Sequence, residues 1–183
     1  MKEMSSKKSI IQNSFATCDI EQRYHIVIPA QFENMAHHLL NISPYVVSTS
    51  DLAELFNFKS PHTVRNYVDY LKQAYVLVGL KKYSQKSKQR VTGEKVYAID
   101  VALMNQRENA FAGENLGWRL ETIVMSHLIR KYKCEGWDIY YLKDRSGECD
   151  FVVCNGNKCY NVSKFHTTSH PQRPVNVRLT DCF

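Results

Sequence analysis

Apolar residues between positions 30 and 75 recur every three or four residues, which is the spacing of one face of an α-helix. The pattern predicts a helix at 30–42, a second within 48–58 and a third that begins at Pro61. Ser60 before Pro61 is the order of an N-cap followed by a first helical residue whose missing N–H costs no hydrogen bond. The tight link between the last two helices predicts a helix-turn-helix. The predicted buried face of its second helix comprises Val64, Tyr67, Val68, Leu71 and Tyr75.

Two runs rich in β-branched and aromatic residues follow these helices. They are AYVLVGLKKYS and EKVYAIDVAL, and the basic linker QKSKQRVTGE separates them. Such runs predict a hairpin, or wing, appended to the helices. Residues 29–103 are therefore interpreted as a winged-helix domain, which a lead and a linker helix at 1–28 precede.

The second half of the chain, residues 104–183, carries one helical pattern and then three strand patterns. The helix is expected at 117–133, and strands are expected at 138–144, 148–155 and 158–165. The Asn-Gly pair between the last two strands is the strongest short signal for a hairpin. The predicted inner face of the helix comprises Leu120, Ile123, Val124, His127, Leu128 and Tyr132. A helix followed by a strand meander makes this half α+β.

The net charge of +6 and the isoelectric point near 9.0 favour an anionic partner, and nucleic acid is the leading candidate. Basic side chains are concentrated on the third predicted helix and along the wing, where winged helices contact phosphates. The candidates for contacts to duplex DNA are Lys59, His62, Arg65, Asn66, Lys81, Lys82, Lys86, Lys88 and Arg90. The alternative is that these side chains are only solvated and that the domain contacts another protein.

No apolar run approaches the roughly 20 residues that a membrane-spanning helix needs, and the N-terminus lacks the apolar stretch of a signal peptide. A cytoplasmic protein is therefore expected, with its six cysteines as reduced thiols. Cys154, Cys159, His166 and His170 outline a metal site but do not form the two ligand pairs that zinc sites normally have. No GxxxxGK[ST] loop occurs, so ATP binding of the P-loop kind is not expected of this chain alone.

Two carboxylates suggest the chemistry of a metal-dependent nuclease. Restriction-endonuclease-like folds place a Glu on a helix, an Asp on a strand and a Glu-x-Lys on the next strand; the acids hold Mg²⁺ and the lysine steadies the attacking hydroxide. Glu121 and Asp150 match the two acids and are the candidate Mg²⁺ ligands. The third strand has Asn161 and Ser163 where the acid and the lysine are expected. Lys164 is expected to point to the opposite face, because side chains alternate along a strand.

Glu121, Asp150 and Lys164 are thus the candidate catalytic residues of a degenerate site, and phosphodiester hydrolysis is expected to be weak or absent. A structural role is the alternative, in which Glu148 and Asp150 cap the preceding turn or pair with nearby cations. The predicted fold class is α+β, a winged helix-turn-helix followed by a partial restriction-endonuclease-like α/β domain.

Four stretches of the sequence are distinctive as a series and read T-V-x-N-Y-x-x-Y-L-x-x-A-Y, K-V-Y-x-x-D, E-N-L-x-x-x-L-E and E-x-D-F-V-V. Together they resemble the C-terminal half of a family of bacterial and archaeal AAA+ ATPases, and the similarity covers about residues 15–163. In that family a P-loop ATPase domain precedes a winged helix and a domain of unknown function related to PD-(D/E)XK nucleases. The resemblance implies that the ATPase core is missing here, that ATP is relevant only if a separate ATPase domain supplies it, and that the chain is truncated at both ends.

Three functions remain open from the sequence. The chain can be a remnant of that ATPase family that binds duplex DNA through the winged helix. It can be an interaction module whose partner is a separately encoded ATPase or another protein. It can also be a weak Mg²⁺-dependent nuclease.

Overall fold

The computed structural model describes residues 15–84, 93–106, 116–143, 148–156, 158–162 and 179–181. Most helices precede most strands along these residues, and most strand pairs are antiparallel, so the fold class is α+β. The helices are α1 (Phe15–Tyr24), α2 (Pro29–Ile42), α3 (Thr49–Leu55), α4 (Pro61–Gln73) and α5 (Leu116–Tyr132). Two short 3₁₀ helices flank α5, at Val101–Gln106 before it and at Lys133–Glu135 after it.

Seven strands form one sheet, in the order β1-β3-β2-β4-β5-β6-β7. Their bounds are β1 Tyr45–Val47, β2 Leu77–Lys82, β3 Glu94–Ala98, β4 Asp138–Lys143, β5 Glu148–Asn155, β6 Lys158–Val162 and β7 Leu179–Asp181. β2 and β4 are parallel, whereas β1–β3, β4–β5, β5–β6 and β6–β7 are antiparallel. None of the described helices is long and apolar enough to cross a membrane.

The chain divides into two compact units that interleave along the sequence. The helical unit comprises Met1–His38 and Thr49–Leu77, and the sheet unit comprises Leu39–Ser48 and Val78–Phe183. β3 and all of β2 except Leu77, the strands of the predicted wing, belong to the same unit as the second half of the chain.

The helical unit is held together by aromatic side chains of α4. The Tyr67 ring meets the edges of Phe32 and Phe58 at centroid distances of 5.2 and 5.5 Å. On the next turn Tyr70 stacks on Tyr24 of α1 at 3.9 Å. The predicted inner face of α4 is confirmed except at Tyr75, which is 76% exposed with a φ of 56°, because the helix ends at Gln73.

The N-terminus of α4 follows the predicted capping arrangement. Ser60 has extended backbone angles, and its hydroxyl oxygen accepts a hydrogen bond from the backbone N–H of His62 at 3.1 Å. Pro61 occupies the first turn, where it leaves no donor unsatisfied. The cap fixes where α4 begins and therefore which of its side chains face outward.

The core of the sheet unit lies between α5 and the sheet. Met125 and Leu128 of α5 pack with Tyr97, Phe151 and Val153 of the strands. The predicted inner face of α5 is wrong in part. Thr122 and Met125 are buried, whereas Ile123 and His127 are exposed. Apolar residues occur on several sides of this helix, so spacing alone did not single out its inner face.

Cys154 and Cys159 lie directly opposite each other on β5 and β6, and a disulfide joins them with a Cα–Cα distance of 4.1 Å. The prediction that all cysteines are reduced thiols is therefore wrong for this pair. The pair also does not offer thiolates to the metal site outlined from the sequence, whose two histidines, His166 and His170, lie outside the described residues.

A buried hydroxyl two residues before β1 joins this part of the chain to the end of β3. Ser43 is fully buried, and its Oγ accepts a hydrogen bond of 2.7 Å from the backbone N–H of Ala98 at the end of β3. Ser43→Ala leaves that N–H unsatisfied, so we expect the free energy of unfolding to fall by about 1–3 kcal/mol in urea denaturation. Ser126→Ala is the control, because the hydroxyl of Ser126 makes a longer 3.3 Å bond in a partly exposed position. Equal losses in both variants contradict this account.

Candidate functional site

Three charged side chains from distant parts of the sequence meet in the sheet unit. Lys95 of β3 places its Nζ 2.7 Å from Oε1 of Glu121 on α5 and 3.9 Å from Oδ1 of Asp150 on β5. Their side chains are only 7%, 12% and 11% exposed, respectively. We call these three residues the acid–lysine cluster. The two acids predicted from the sequence are thus brought together, and the ammonium group beside them comes from a residue that was not predicted.

A β-bulge explains how Asp150 reaches the cluster. Tyr140 of β4 pairs with Val152 of β5, and Leu142 pairs with Cys149. One residue of β4, Tyr141, therefore lies opposite two residues of β5, Asp150 and Phe151. Such a bulge breaks the alternation of side chains between the two faces of a strand. This agrees with the contacts, since Phe151 packs on the Tyr97 ring while its neighbour Asp150 approaches Lys95.

Glu121 is held by two donors. The hydroxyl of Tyr97 donates to Oε1 of Glu121 at 2.8 Å, and the Lys95 ammonium donates to the same oxygen. Burial raises the pKa of Glu121, because a carboxylate loses hydration in the interior. The charges and hydrogen bonds of Lys95 and Tyr97 oppose that rise, and the neighbouring charge of Asp150 adds to it.

The cluster borders a cavity of about 390 Å³, which is within the range of ligand pockets. Two partly exposed aromatic rings, Tyr45 of β1 and Trp118 of α5, also line it. The lining residues are Pro44, Tyr45, Val46, Lys95, Trp118, Glu121, Lys143 and Asp150. The cluster is therefore at the wall of a cavity and not sealed within the core.

The cluster does not fit Mg²⁺. This ion requires near-octahedral oxygen ligands at about 2.0–2.1 Å, whereas the Lys95 ammonium lies between the two carboxylates and carries its own positive charge. Within the part of the chain that the structure describes, no group of three or more His, Cys, Asp or Glu side chains could hold a metal ion. A cation is present between the acids, but it is the side chain of a lysine.

The remaining predicted catalytic residue cannot be placed. Lys164 lies outside the described residues, as does Ser163. Asn161 pairs with Val152 in the β5–β6 ladder. Lys95 was missed because a lysine in an apolar strand looks like an ordinary surface residue. The available signal was its place at the start of K-V-Y-x-x-D, one of the four stretches on which the family resemblance rests.

The predicted nucleic-acid contacts fall into two sets. In the helical unit, Lys59, His62 and Arg65 are exposed, and the side-chain amide of the partly exposed Asn66 lies 3.4 Å from Nδ1 of His62. The spacing of the last three places them on adjacent turns of α4. These four residues are called the α4 basic face.

The second set belongs to the sheet unit. Lys81 is exposed and Lys82 is partly exposed, and they pair with Tyr140 and Tyr141 of β4. The strand of the predicted wing is therefore an interior strand of the sheet. The other predicted wing contacts, Lys86, Lys88 and Arg90, lie outside the described residues.

Comparison with known proteins places the chain in a family without assigning a function. Residues 4–114 match the family described as "Domain of unknown function (DUF8612)", and the chain belongs to that family. A curated relative, "Uncharacterized protein MJ1544" of Methanocaldococcus jannaschii, is 28% identical over 155 residues. The match covers 80% of this chain and 34% of the relative, so the chain spans about a third of that protein's length. No solved structure matches.

Removal of the hydrogen bond from Tyr97 to Glu121 tests whether the Glu121 side chain is a charged acceptor. In Tyr97→Phe a buried carboxylate loses a donor, so we expect the free energy of unfolding in urea to fall by about 1.5–3 kcal/mol. Tyr141→Phe is a matched control in the same unit, because that hydroxyl donates 2.9 Å to the neutral carbonyl of Gly93. Its loss is expected to cost only about 0.5–1.5 kcal/mol. A larger loss in the control contradicts the interpretation.

Proposed function

We propose that this chain binds duplex DNA through the α4 basic face. The observation that carries the proposal is the exposure of Lys59, His62 and Arg65 around the N-terminal turns of a capped helix. Cationic side chains of this kind neutralise phosphates, and the release of counterions from DNA then favours binding. The net charge of +6 adds a long-range attraction to the same partner.

The order of the elements supports a winged-helix arrangement for this part of the chain. A helix, a short strand, two helices and two strands follow one another as α2, β1, α3, α4, β2 and β3. Their strands are ordered β1-β3-β2 within the sheet. In helix-turn-helix proteins the second helix of the pair enters the major groove with its N-terminal residues, which here are those of the α4 basic face.

The side chains of α4 divide into those suited to phosphates and those suited to bases. Lys59 lies before the helix and suits a backbone phosphate, which fixes position but carries no sequence information. Arg65 and Asn66 lie one turn in. The guanidinium of Arg65 can donate to the two acceptors of a guanine edge, and the amide of Asn66 can donate to N7 and accept from N6 of adenine. We therefore expect Lys59 to contribute affinity and the pair on α4 to contribute preference for sequence.

The sheet unit is proposed to be a relative of PD-(D/E)XK domains that does not cleave DNA. The acids Glu121 and Asp150 meet as such a domain requires, but an ammonium lies between them and the third strand carries Asn161 in place of an acid. We further propose that the chain corresponds to the C-terminal part of an AAA+ ATPase. The support is the series of sequence stretches that resembles that family, and the relative's longer chain leaves room for an ATPase domain.

DNA binding is tested by fluorescence anisotropy of a labelled duplex, with the wild-type chain and Lys59→Ala/Arg65→Ala. We expect the double variant to bind at least about tenfold more weakly. The slope of log affinity against log salt should become shallower by about 0.9, the value for the one phosphate contact assigned to Lys59. Lys81→Ala/Lys82→Ala measures the contribution of the sheet unit in the same way.

Arg130→Ala/Lys133→Ala is the matched control, since it removes the same charge from exposed positions of the sheet unit. An equal effect of this control would show attraction by net charge alone. If the wild-type chain does not bind DNA at low salt, the proposal is overturned, and a protein partner such as a separate ATPase becomes the function to test.

A further inference from the structure

The acid–lysine cluster has the form of a divalent-cation site in which a side chain takes the place of the ion. We propose that Lys95 is the resident cation of this site, so that the native protein excludes divalent metals there and loss of the ammonium group creates a divalent-cation site. This inference concerns the sheet unit and does not depend on DNA binding by α4.

Burial explains why the lysine and the acids require one another. A lysine that is 6% exposed must be paired, because an isolated ammonium group is strongly destabilised in the interior. Glu121 lies within hydrogen-bond distance, and Asp150 supplies a second negative charge at 3.9 Å. The two acids come from different elements, so the cluster closes only when α5, β3 and β5 are all in place.

Competition with a metal ion follows from the distances. An ion coordinated by both carboxylates would lie close to the Lys95 nitrogen, which is already 2.7 Å from Glu121. Like charges at such separations repel strongly where water is scarce. A divalent ion can therefore enter only if the Lys95 ammonium moves away, which would also break the contacts of Lys95 with Glu121 and Asp150.

Removal of the ammonium leaves an arrangement that attracts cations. Glu121 and Asp150 then lose the positive charge that they share, and carboxylate oxygens are the ligands that Mg²⁺ and Mn²⁺ prefer. The adjoining cavity gives an ion access and space for the water molecules that complete its coordination. Trp118 lines the same cavity and can report on a bound paramagnetic ion.

The experiment titrates Mn²⁺ alone into the full chain, with quenching of Trp118 fluorescence as the readout. The chain has two tryptophans, so the measurements use a Trp137→Phe background. We expect no saturable quenching of the otherwise wild-type protein up to about 1 mM Mn²⁺, the weak end of protein cation sites. Lys95→Met keeps an unbranched side chain without charge. Its dissociation constant for Mn²⁺ should lie at least about tenfold below that 1 mM limit.

Two further variants make the result specific. Lys143→Met removes another lysine that lines the same cavity and should not create Mn²⁺ binding. Lys95→Met/Asp150→Asn removes one of the two acids and should abolish the binding that Lys95→Met gains. Tight binding by the otherwise wild-type protein overturns the inference, as does equal gain from either lysine substitution.

Stability supplies a second readout in case Lys95→Met is poorly folded. Loss of the ammonium destabilises this variant, because two buried carboxylates lose a shared positive charge, and a bound cation replaces that charge. Mn²⁺ should therefore raise its melting temperature, or restore its circular dichroism spectrum, and leave both properties of the wild-type protein unchanged. Failure of Mn²⁺ to stabilise Lys95→Met overturns the inference.

Discussion

Burial of the Lys95 ammonium between two carboxylates is the constraint on which the sheet unit depends. An apolar contact tolerates small shifts, but a buried charge requires opposite charge nearby and tolerates its loss poorly. The distances of 2.7 and 3.9 Å from Lys95 to Glu121 and Asp150 therefore fix the positions of α5 and β5 against β3. Tyr97, two residues along the same strand, adds a hydroxyl donor to the same carboxylate.

This constraint also accounts for the irregularity of β5. A regular strand presents every second side chain to the core, so Asp150 and Phe151 would face opposite sides of the sheet. The bulge opposite Tyr141 lets β5 supply both a charge to Lys95 and an apolar ring to Tyr97. The bulge interrupts the hydrogen-bond ladder between β4 and β5, and it places the charged group of Asp150 at the wall of a cavity.

The sequence predicts local structure well here and tertiary pairing poorly. The start of α4 at Pro61 and the strands at 138–143 and 148–155 follow from capping and periodicity, which act between close neighbours. The parallel pairing of β2 with β4 joins segments about sixty residues apart, and no local pattern encodes it.

The same distinction applies to the candidate site. Glu121 and Asp150 could be found from their types and their order along the chain. Lys95 could not, because its role appears only when β3 lies beside α5 and β5. The bulge was likewise not predictable, since no glycine or proline marks it. The α4 basic face was predictable because one helix carries it, although its function is a proposal.

The bulge in β5 also has a consequence for how this family can vary. The meeting of Asp150 with Lys95 depends on one additional residue in the strand and not only on the identities of the side chains. Deletion of Cys149 would restore regular pairing by placing Asp150 opposite Leu142, and would turn the acid to the other face with every charged residue still encoded. Among relatives, the presence of the extra residue beside the acid is therefore as informative as the presence of the acid itself.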